Sequence, residues 1–346
     1  MIVPDARALY KQIAAFRRPD DVRGAVELAI TLVPFVALWV LSLAAMERHY
    51  GLSLFLAVPA AGLLVRLFLI QHDCGHGSMF RRRGANDWVG RGLSVLTLTP
   101  YDFWRRTHAM HHAAAGNLDR RGFGDVDTLT VAEFAALSPW ARARYRFYRH
   151  PLVLFGLAPA YLFLLQHRVP IGLMREGWGP WISTVATSAA TLAVSAALVW
   201  WVGLIPFLAI QLPITIGAAS IGVWLFYVQH QFERTSWDRD CAWGFHEAAL
   251  HGSSHYVLPP VLQWFTANVG IHHVHHLCSM IPYYRLPDVL RRHPELAAVG
   301  RLSLWQSLKA VRLVLWDEDG RRLLSFKDAR ATLAALNCPS GRTAGG

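Results

Sequence analysis

The sequence predicts an all-α integral membrane protein, with four transmembrane helices paired as two hairpins beneath a polar helical cap. Three observations carry that reading. The chain of 346 residues is 53% hydrophobic and only 16% charged, where soluble domains run nearer a quarter charged. Its apolar residues are gathered into blocks of membrane-crossing length. Its basic residues fall almost entirely to one side of those blocks.

A helix rising about 1.5 Å per residue needs about 20 apolar residues to cross about 30 Å of hydrocarbon. Residues 1–25 are polar and basic and lack the apolar core and cleavage site of a signal peptide, so the first span is expected to act as the insertion signal. The stretches 26–46 (VELAITLVPFVALWVLSLAAM), 50–71, 181–202 and 204–229 qualify as spans. The links within each pair, ERH and Gly203, leave room only for a tight turn, so each pair reads as a helical hairpin. A fifth apolar stretch, 151–166 (PLVLFGLAPAYLFLLQ), is shorter and interrupted by Gly156 and Pro159. It is expected to be re-entrant or interfacial, because a crossing there would put the later histidines on the opposite side from the earlier ones. The membrane domain is thus expected over 26–330, with 331–346 a disordered tail.

Charge tests that topology. Of the 34 Lys and Arg, all but Arg48 and Arg66 lie in the N-terminal segment, in 72–180, or after 230. The positive-inside rule makes that side cytosolic. Arg48 faces the other compartment, and Arg66, near the end of the second span, is expected to snorkel. The net charge of +11 would suit nucleic acid or an anionic membrane face; with several spans present it is assigned to membrane lipids, and no nucleic-acid partner is expected. Cys74, Cys241, Cys278 and Cys338 are irregularly spaced and form neither a disulfide framework nor a zinc knuckle. The Ala- and Arg-rich composition suggests a bacterial inner membrane.

The chemistry is concentrated in histidines. HDCGH sets His72 and His76 four apart, HAMHH sets His108, His111 and His112 at i, i+3 and i+4, and HHVHH repeats the second pattern with His272, His275 and His276. Residues three and four apart share a helix face, so each box aims its ring nitrogens at one point. With 17 His in the chain, one H-x-x-H-H pattern is expected by chance roughly 0.04 times, so two argue for a function. A single His, by contrast, is more often a satisfied or solvated side chain. Lone His230 stands where the fourth span emerges. All these residues emerge on one face. Nine imidazoles exceed the three protein ligands a lone catalytic zinc takes, and two ions with four or five ligands each fit better. Imidazole suits iron, zinc, copper and nickel alike. A redox-capable metal pair at the mouth of an apolar helix bundle points to chemistry on a long apolar substrate.

The segments HDCGHGSMF, WRRTHAMHHAAAGNLDRRGFGDV, YVQHQFERTSW, GSSHYVLP and NVGIHHVHHLCSMIPYYRL are similar to those of the membrane fatty acid desaturases with three histidine boxes, specifically the omega-6 (delta-12) type branch. The resemblance runs over roughly residues 30 to 290. It implies two iron ions held by His72, His76, His108, His111, His112, His230, His272, His275 and His276, with dioxygen as co-substrate. The expected reaction introduces a cis double bond into a long acyl chain linked to a lipid, CoA or a carrier protein. His273 fills a variable position and is read as a neighbour, and His246 and His251 as solvated. Asp73, which can orient an imidazole as carboxylates behind metal-bound histidines do, is an expected supporting residue, as are His255, Glu233 and Asn268.

Arg81, Arg82, Arg83, Arg105 and Arg106, with Arg120 and Arg121, form a basic surface. It suits anionic headgroups or the docking of an acidic electron donor. The chain has neither a Cys-rich ferredoxin pattern nor an evident haem module, so electrons are expected from a separate ferredoxin or cytochrome b5-like protein. Trp88, Trp104, Trp178, Trp181, Trp200 and Trp201 read as interfacial belt residues, and Trp264 as either belt or acyl-tunnel wall. Two other functions compete. Hydroxylation or ketolation of a lipid or carotenoid shares the scaffold and the hydrogen abstraction. A metal transporter would need ionisable ligands near mid-membrane, where these spans carry almost none.

Overall fold

The computed structural model describes residues 5–122 and 124–337. In chain order its helices are α1 (Ala6–Ile13), α2 (Asp21–Met46), α3 (Tyr50–His76), α4 (Arg83–Thr97), α5 (Tyr101–Ala114), α6 (Val131–Ala136), α7 (Pro139–Tyr148), α8 (Ala158–Leu164), α9 (Trp178–Val202), α10 (Leu204–His230), α11 (Phe245–His251), α12 (Pro260–Phe265), α13 (His272–Leu277), α14 (Leu286–Arg292), α15 (Leu304–Ala310) and α16 (Arg330–Asn337). Helices α2, α3, α9 and α10 are long and apolar enough to cross a membrane, at the four places the hydropathy pattern marks.

Local chemistry sets their ends. Asp20 caps α2, its carboxylate accepting from the Val22 and Arg23 amides. His49 caps α3 through the Gly51 amide, and Gly77 ends it in the left-handed region at φ 72°. Gly203, at φ 88°, alone links α9 to α10. The outward faces are apolar: Val33, Phe55, Val58 and Trp200 are exposed while Phe35, Leu64, Ile70 and Ile214 are buried. Apolar residues on both faces are what a lipid surround permits. Helix α3 lies at the centre, against α2, α4, α5, α10 and α12.

The stretch 151–166 sits in a broken helix. A bend of 57° separates Pro139–Tyr148 from Val153–Arg168, with a π-helical turn over Val153–Leu157. The cap adds two small sheets built from β1 (Leu129–Thr130), β2 (His255–Val257), β3 (Arg301–Ser303), β4 (Leu315–Asp317) and β5 (Arg322–Leu324). Strand β4 pairs parallel with β1 and antiparallel with β5, and β2 pairs parallel with β3. Buried Arg149 fastens this cap to the bundle, donating to the carbonyls of Asp127 at 2.9 Å and Leu313 at 2.8 Å and to the Tyr227 hydroxyl on α10 at 3.2 Å.

The first box lies in the same helix as the second span, at its C-terminal end. Two expectations change. Residues 330–337 form α16, so the segment expected to be disordered begins as a helix, while 338–346, including Cys338, lies outside the described residues. Arg66 does not snorkel. Only 2% exposed, it pairs with Glu27 of α2, donates to Thr31 Oγ1 at 3.1 Å and to the Trp264 carbonyl, and lies 4.2 Å from the Trp264 ring. A buried guanidinium finds cheaper compensation in a carboxylate one helix away than in a stretch to the surface.

Removing Glu27 strands that cation. Glu27→Ala is expected to cost about 3–5 kcal/mol, read as a lower midpoint of thermal unfolding in detergent. The paired change Glu27→Met with Arg66→Met should recover most of the loss. A Glu27→Ala protein that melts with the wild type would show that the pair carries no stability.

Candidate metal centre

All the boxed histidines but His272, which opens the short α13, sit at or near the C-terminal end of a helix. His72 and His76 end α3, His108, His111 and His112 lie in the last turns of α5, His230 is the last residue of α10, and α13 carries His272, His275 and His276. Helix C-termini bear partial negative charge and favour a cation. Four of them meet here.

The rings sort into two groups. One comprises His72, His76, His108, His112 and His275, the other His111, His230 and His276, with candidate donor atoms in each within 4.8 Å of one another. His272 completes the second group: its Nε2 is 3.1 Å from His230 Nε2 and 3.0 Å from His276 Nε2. The groups adjoin, with the rings of His112 and His276 stacked 4.1 Å apart. The eight histidines singled out by spacing and lone His230 are therefore brought together.

The donor set fits metal ions, and hydrogen bonding shows why. His111 Nδ1 is 2.7 Å from Asp125 Oδ1, and His230 Nδ1 is 3.4 Å from the Gly252 carbonyl. Carboxylate and carbonyl oxygens only accept, so in each ring Nδ1 carries a hydrogen, and in the neutral ring Nε2 then presents a lone pair. Those two Nε2 atoms face each other at 3.2 Å. Two lone pairs at that distance repel, and a cation between them removes the conflict. Burial, first, and neighbouring histidines, second, hold His108, His112, His272, His275 and His276 well below the usual imidazole range. Those five rings are thus neutral, the form that ligates metal.

The supporting residues divide. Asp73 Oδ1 holds His72 Nδ1 at 3.1 Å while its Oδ2 accepts the Tyr283 amide at 2.7 Å, so it orients a boxed ring and ties it to the third-box loop. His255 does not reach the cluster; its Nδ1 donates to the Ala297 carbonyl at 2.8 Å and its ring lies 5.4 Å from His273. His273 turns away, Nε2 donating to the Leu296 carbonyl at 3.0 Å, with burial pushing its pKa down to about 3. Glu233 is exposed and, among the described residues, makes no bond to the cluster. Asn268 donates to the Tyr283 carbonyl at 3.2 Å and serves the loop rather than the rings. His246 is partly exposed and packs edge-on to Tyr10 at 5.3 Å, and His251 stays at the surface beside Glu247.

Two contributors escape a reading by spacing. Asp125 holds His111, and its signal lay only in an acidic residue within the second matching segment. Trp104, expected in the interfacial belt, stacks on His108 at 4.5 Å. Trp264 is occupied with Arg66. The basic surface is largely paired within the chain: Arg83 and Arg105 with Asp87, Arg106 with Glu176, Arg120 with Asp240 and Arg121 with Glu133. Arg81 reaches the Pro19 carbonyl, and Arg82 is exposed with no ion pair among the described residues.

A cleft of about 950 Å³ opens between α4, α5 and α9. Its inner wall is His76, His108 and Trp104, its length is lined by Val95, Ile182, Ala186 and Ala190, and Arg83, Arg91, Arg105 and Arg106 stand at its cap end. It reaches the group of five, whose members His76, His108 and His112 are only partly buried, while His111, His230, His272 and His276 are buried.

The family profile described as "Fatty acid desaturase" matches residues 49–307. The chain is 42% identical over 322 residues to a "Fatty acid desaturase" of Bacillus subtilis, covering 93% of this chain and 91% of that one. It is 30% identical over 238 residues to an "sn-1 acyl-lipid omega-3 desaturase (ferredoxin)" of Synechocystis, covering 64% and 61%. It is 26% identical over 268 residues to an "Acyl-lipid omega-3 desaturase (cytochrome b5), endoplasmic reticulum" of Arabidopsis thaliana, covering 70% and 67%.

Asp125 offers a test of the lone-pair geometry. Asp125→Asn should weaken metal retention about 10–100-fold, measured by competition with a chelator, with helix content by circular dichroism unchanged. Retention equal to wild type would mean that the His111 ring is held without its carboxylate.

Proposed function

The chain belongs to the fatty acid desaturase family and is a membrane oxidoreductase acting on fatty acyl chains, and from that premise we propose that it introduces a cis double bond into an acyl chain of a membrane lipid at a histidine-held iron pair. The observation that carries the reading is the convergence of nine histidines into two adjoining groups at the inner wall of an apolar cleft. The ligands are His72, His76, His108, His112 and His275 for one ion, and His111, His230, His272 and His276 for the other. When bound, the iron pair supplies the dioxygen activation that removal of hydrogen from unactivated methylenes requires. The balanced reaction takes two hydrogens from adjacent carbons, consumes dioxygen, two electrons and two protons, and releases two waters.

The chain's own residues bind, orient and shield. The acyl chain lies in the cleft along α9, where Gly179 to Ala190 spans about 16 Å of helix. Small side chains at Ala186 and Ala190 leave the channel open, and the target methylenes rest against His76 and His108. Arginines at the cap end suit an anionic headgroup. Holding the inert chain along its length places the reacting carbons, which is the proximity effect that regiospecificity needs. Electrons come from a separate ferredoxin or cytochrome b5-like protein, a reading supported by the names of the Synechocystis and Arabidopsis relatives. Its docking surface is the basic face with Arg81, Arg82, Arg83, Arg105 and Arg106. The histidines face the cytosol, supported by the distribution of Lys and Arg, and the membrane is a bacterial inner membrane, supported by the Ala- and Arg-rich composition. The hydroxylase or ketolase reading and the transporter reading draw no support from the relatives.

Lipid analysis of an expressing host decides the reaction. Mass spectrometry should show acyl chains lighter by two hydrogens; a gain of oxygen would overturn desaturation. His111→Ala or His275→Ala should abolish the product with the protein still inserted, and metal analysis of the wild type should find about two irons per chain. Ala190→Trp should fill the cleft and lower turnover at least about tenfold with metal content intact. Undiminished turnover in that variant would place the acyl chain elsewhere.

A further inference from the structure

The segment joining β2 to α13 is unlike the rest of the cap. From Val257 to Ile271 it contains no Asp, Glu, Lys, Arg or His. Pro259, Pro260, Val261, Leu262 and Trp264 are all exposed, Val261 at 67%. In water such a run of outward apolar side chains is an aggregation hazard.

Its depth explains the composition. Helix α12 packs on α3, and the Phe265 ring lies so close to Gly62 that an added Cβ would meet it at 2.8 Å. The Trp264 carbonyl receives the Arg66 guanidinium. Counted from Tyr50 at about 1.5 Å per residue, about 30 Å of hydrocarbon ends near residue 70. Arg66 and Gly62 therefore lie about 6 and 12 Å inside that boundary. The segment's exposed face continues the lipid-facing surface of the bundle.

Apart from the Val261 and Leu262 amides in the first turn of α12, the backbone of this segment is largely satisfied within the protein. Pro259 and Pro260 have no N–H to satisfy. The amides of Gln263, Thr266, Ala267, Asn268 and Val269 donate to the carbonyls of Pro259, Leu262, Trp264, Gln263 and Thr266, and the Thr266 hydroxyl adds a bond to the Leu262 carbonyl. The chain then reverses through Ala267 and Asn268, at φ 45° and 54°. Irregular backbone survives at membrane depth only where its polar groups are satisfied within the protein.

We propose that residues 257–271 form a monotopic anchor whose apolar face is seated among the acyl chains of the leaflet nearest the metal centre, without crossing it. The anchor runs directly into His272, so the third box is pinned to the bilayer at a set depth. This inference rests on the membrane assignment of α2 and α3 and stands whatever reaction the metal centre performs.

The full chain, with Cys241→Ser and Cys338→Ser, is reconstituted in phosphatidylcholine vesicles. Val261→Cys or, separately, Leu262→Cys is labelled with an environment-sensitive fluorophore. Phosphatidylcholine brominated on its acyl chains should quench both labels, and aqueous iodide should not; a label at Arg292→Cys, on the exposed cap, should behave in the reverse way. Iodide quenching at 261 and 262 equal to that at 292 would place the segment in water and overturn the anchor. Protection from both quenchers would mean that protein, not lipid, covers the face, and would overturn it equally.

Discussion

The structure depends on keeping bare imidazole nitrogens pointed at one another. Between His111 and His230 that contact is repulsive until a cation enters, so the protein must supply the force that holds those rings in place. It does so by using rigid elements. The first box is the last turn of a 27-residue helix, His230 ends another of the same length, and both pack on the bundle core. Burial removes the alternative of protonation, because a charged ring in that setting would lose its hydration. The helix C-termini contribute a negative field at the site. Together these features make a neutral, converging, preorganised donor set, which is why the conflict between lone pairs persists in the fold rather than relaxing.

The H-x-x-H-H pattern now has a geometric reason. In the second box His108 and His112, four apart, serve the group of five, and His111 serves the group of four. In the third box the roles exchange: His272 and His276 serve the group of four, and His275 crosses to the group of five. Residues i and i+4 are nearly eclipsed on a helix, whereas i+3 is turned about 100° away from i+4. One short helix can therefore feed two adjacent centres, and two such helices facing each other close both. A plain H-x-x-x-H box, as in α3, feeds only one.

This is also why so much of the site was legible in the sequence and why the remainder was not. Spacing reports what neighbours along one helix do, so the boxed residues and the four spans could be read directly. His230 needed the further fact that a span ends there. Asp125 lies 14 positions from the ring it holds, and Glu27 lies 39 positions from Arg66; such pairs are made by tertiary packing and leave no period behind. Arg66 read as a snorkelling residue because near a span's end that is the lower-cost solution for an isolated cation. The partner that changes the outcome is on another helix. Glu233 failed in the opposite way, since adjacency in sequence to His230 did not survive the turn that ends α10.

The two histidine groups are not equivalent in their surroundings, and that asymmetry bears on chemistry. The group of four is closed in by α10, α11 and the loop carrying Asp125, with the Nδ1 partners of His111 and His230 on that side. The group of five meets the cleft through His76 and His108 and is backed by Trp104. Under the proposed reaction, a substrate approaching through the cleft would meet one half of the centre first, the residues of the other half being buried. Asp73 reaches across from the open half to the loop after the third box through the Tyr283 amide, and Tyr283 in turn donates to Glu27 at 3.1 Å. The orientation of the open-side ring His72 is thus linked, through a short run of buried polar contacts, to the same Glu27–Arg66 pair that seats α12 against the bundle. Packing inside the membrane and ring orientation at the metal centre are parts of one connected structure.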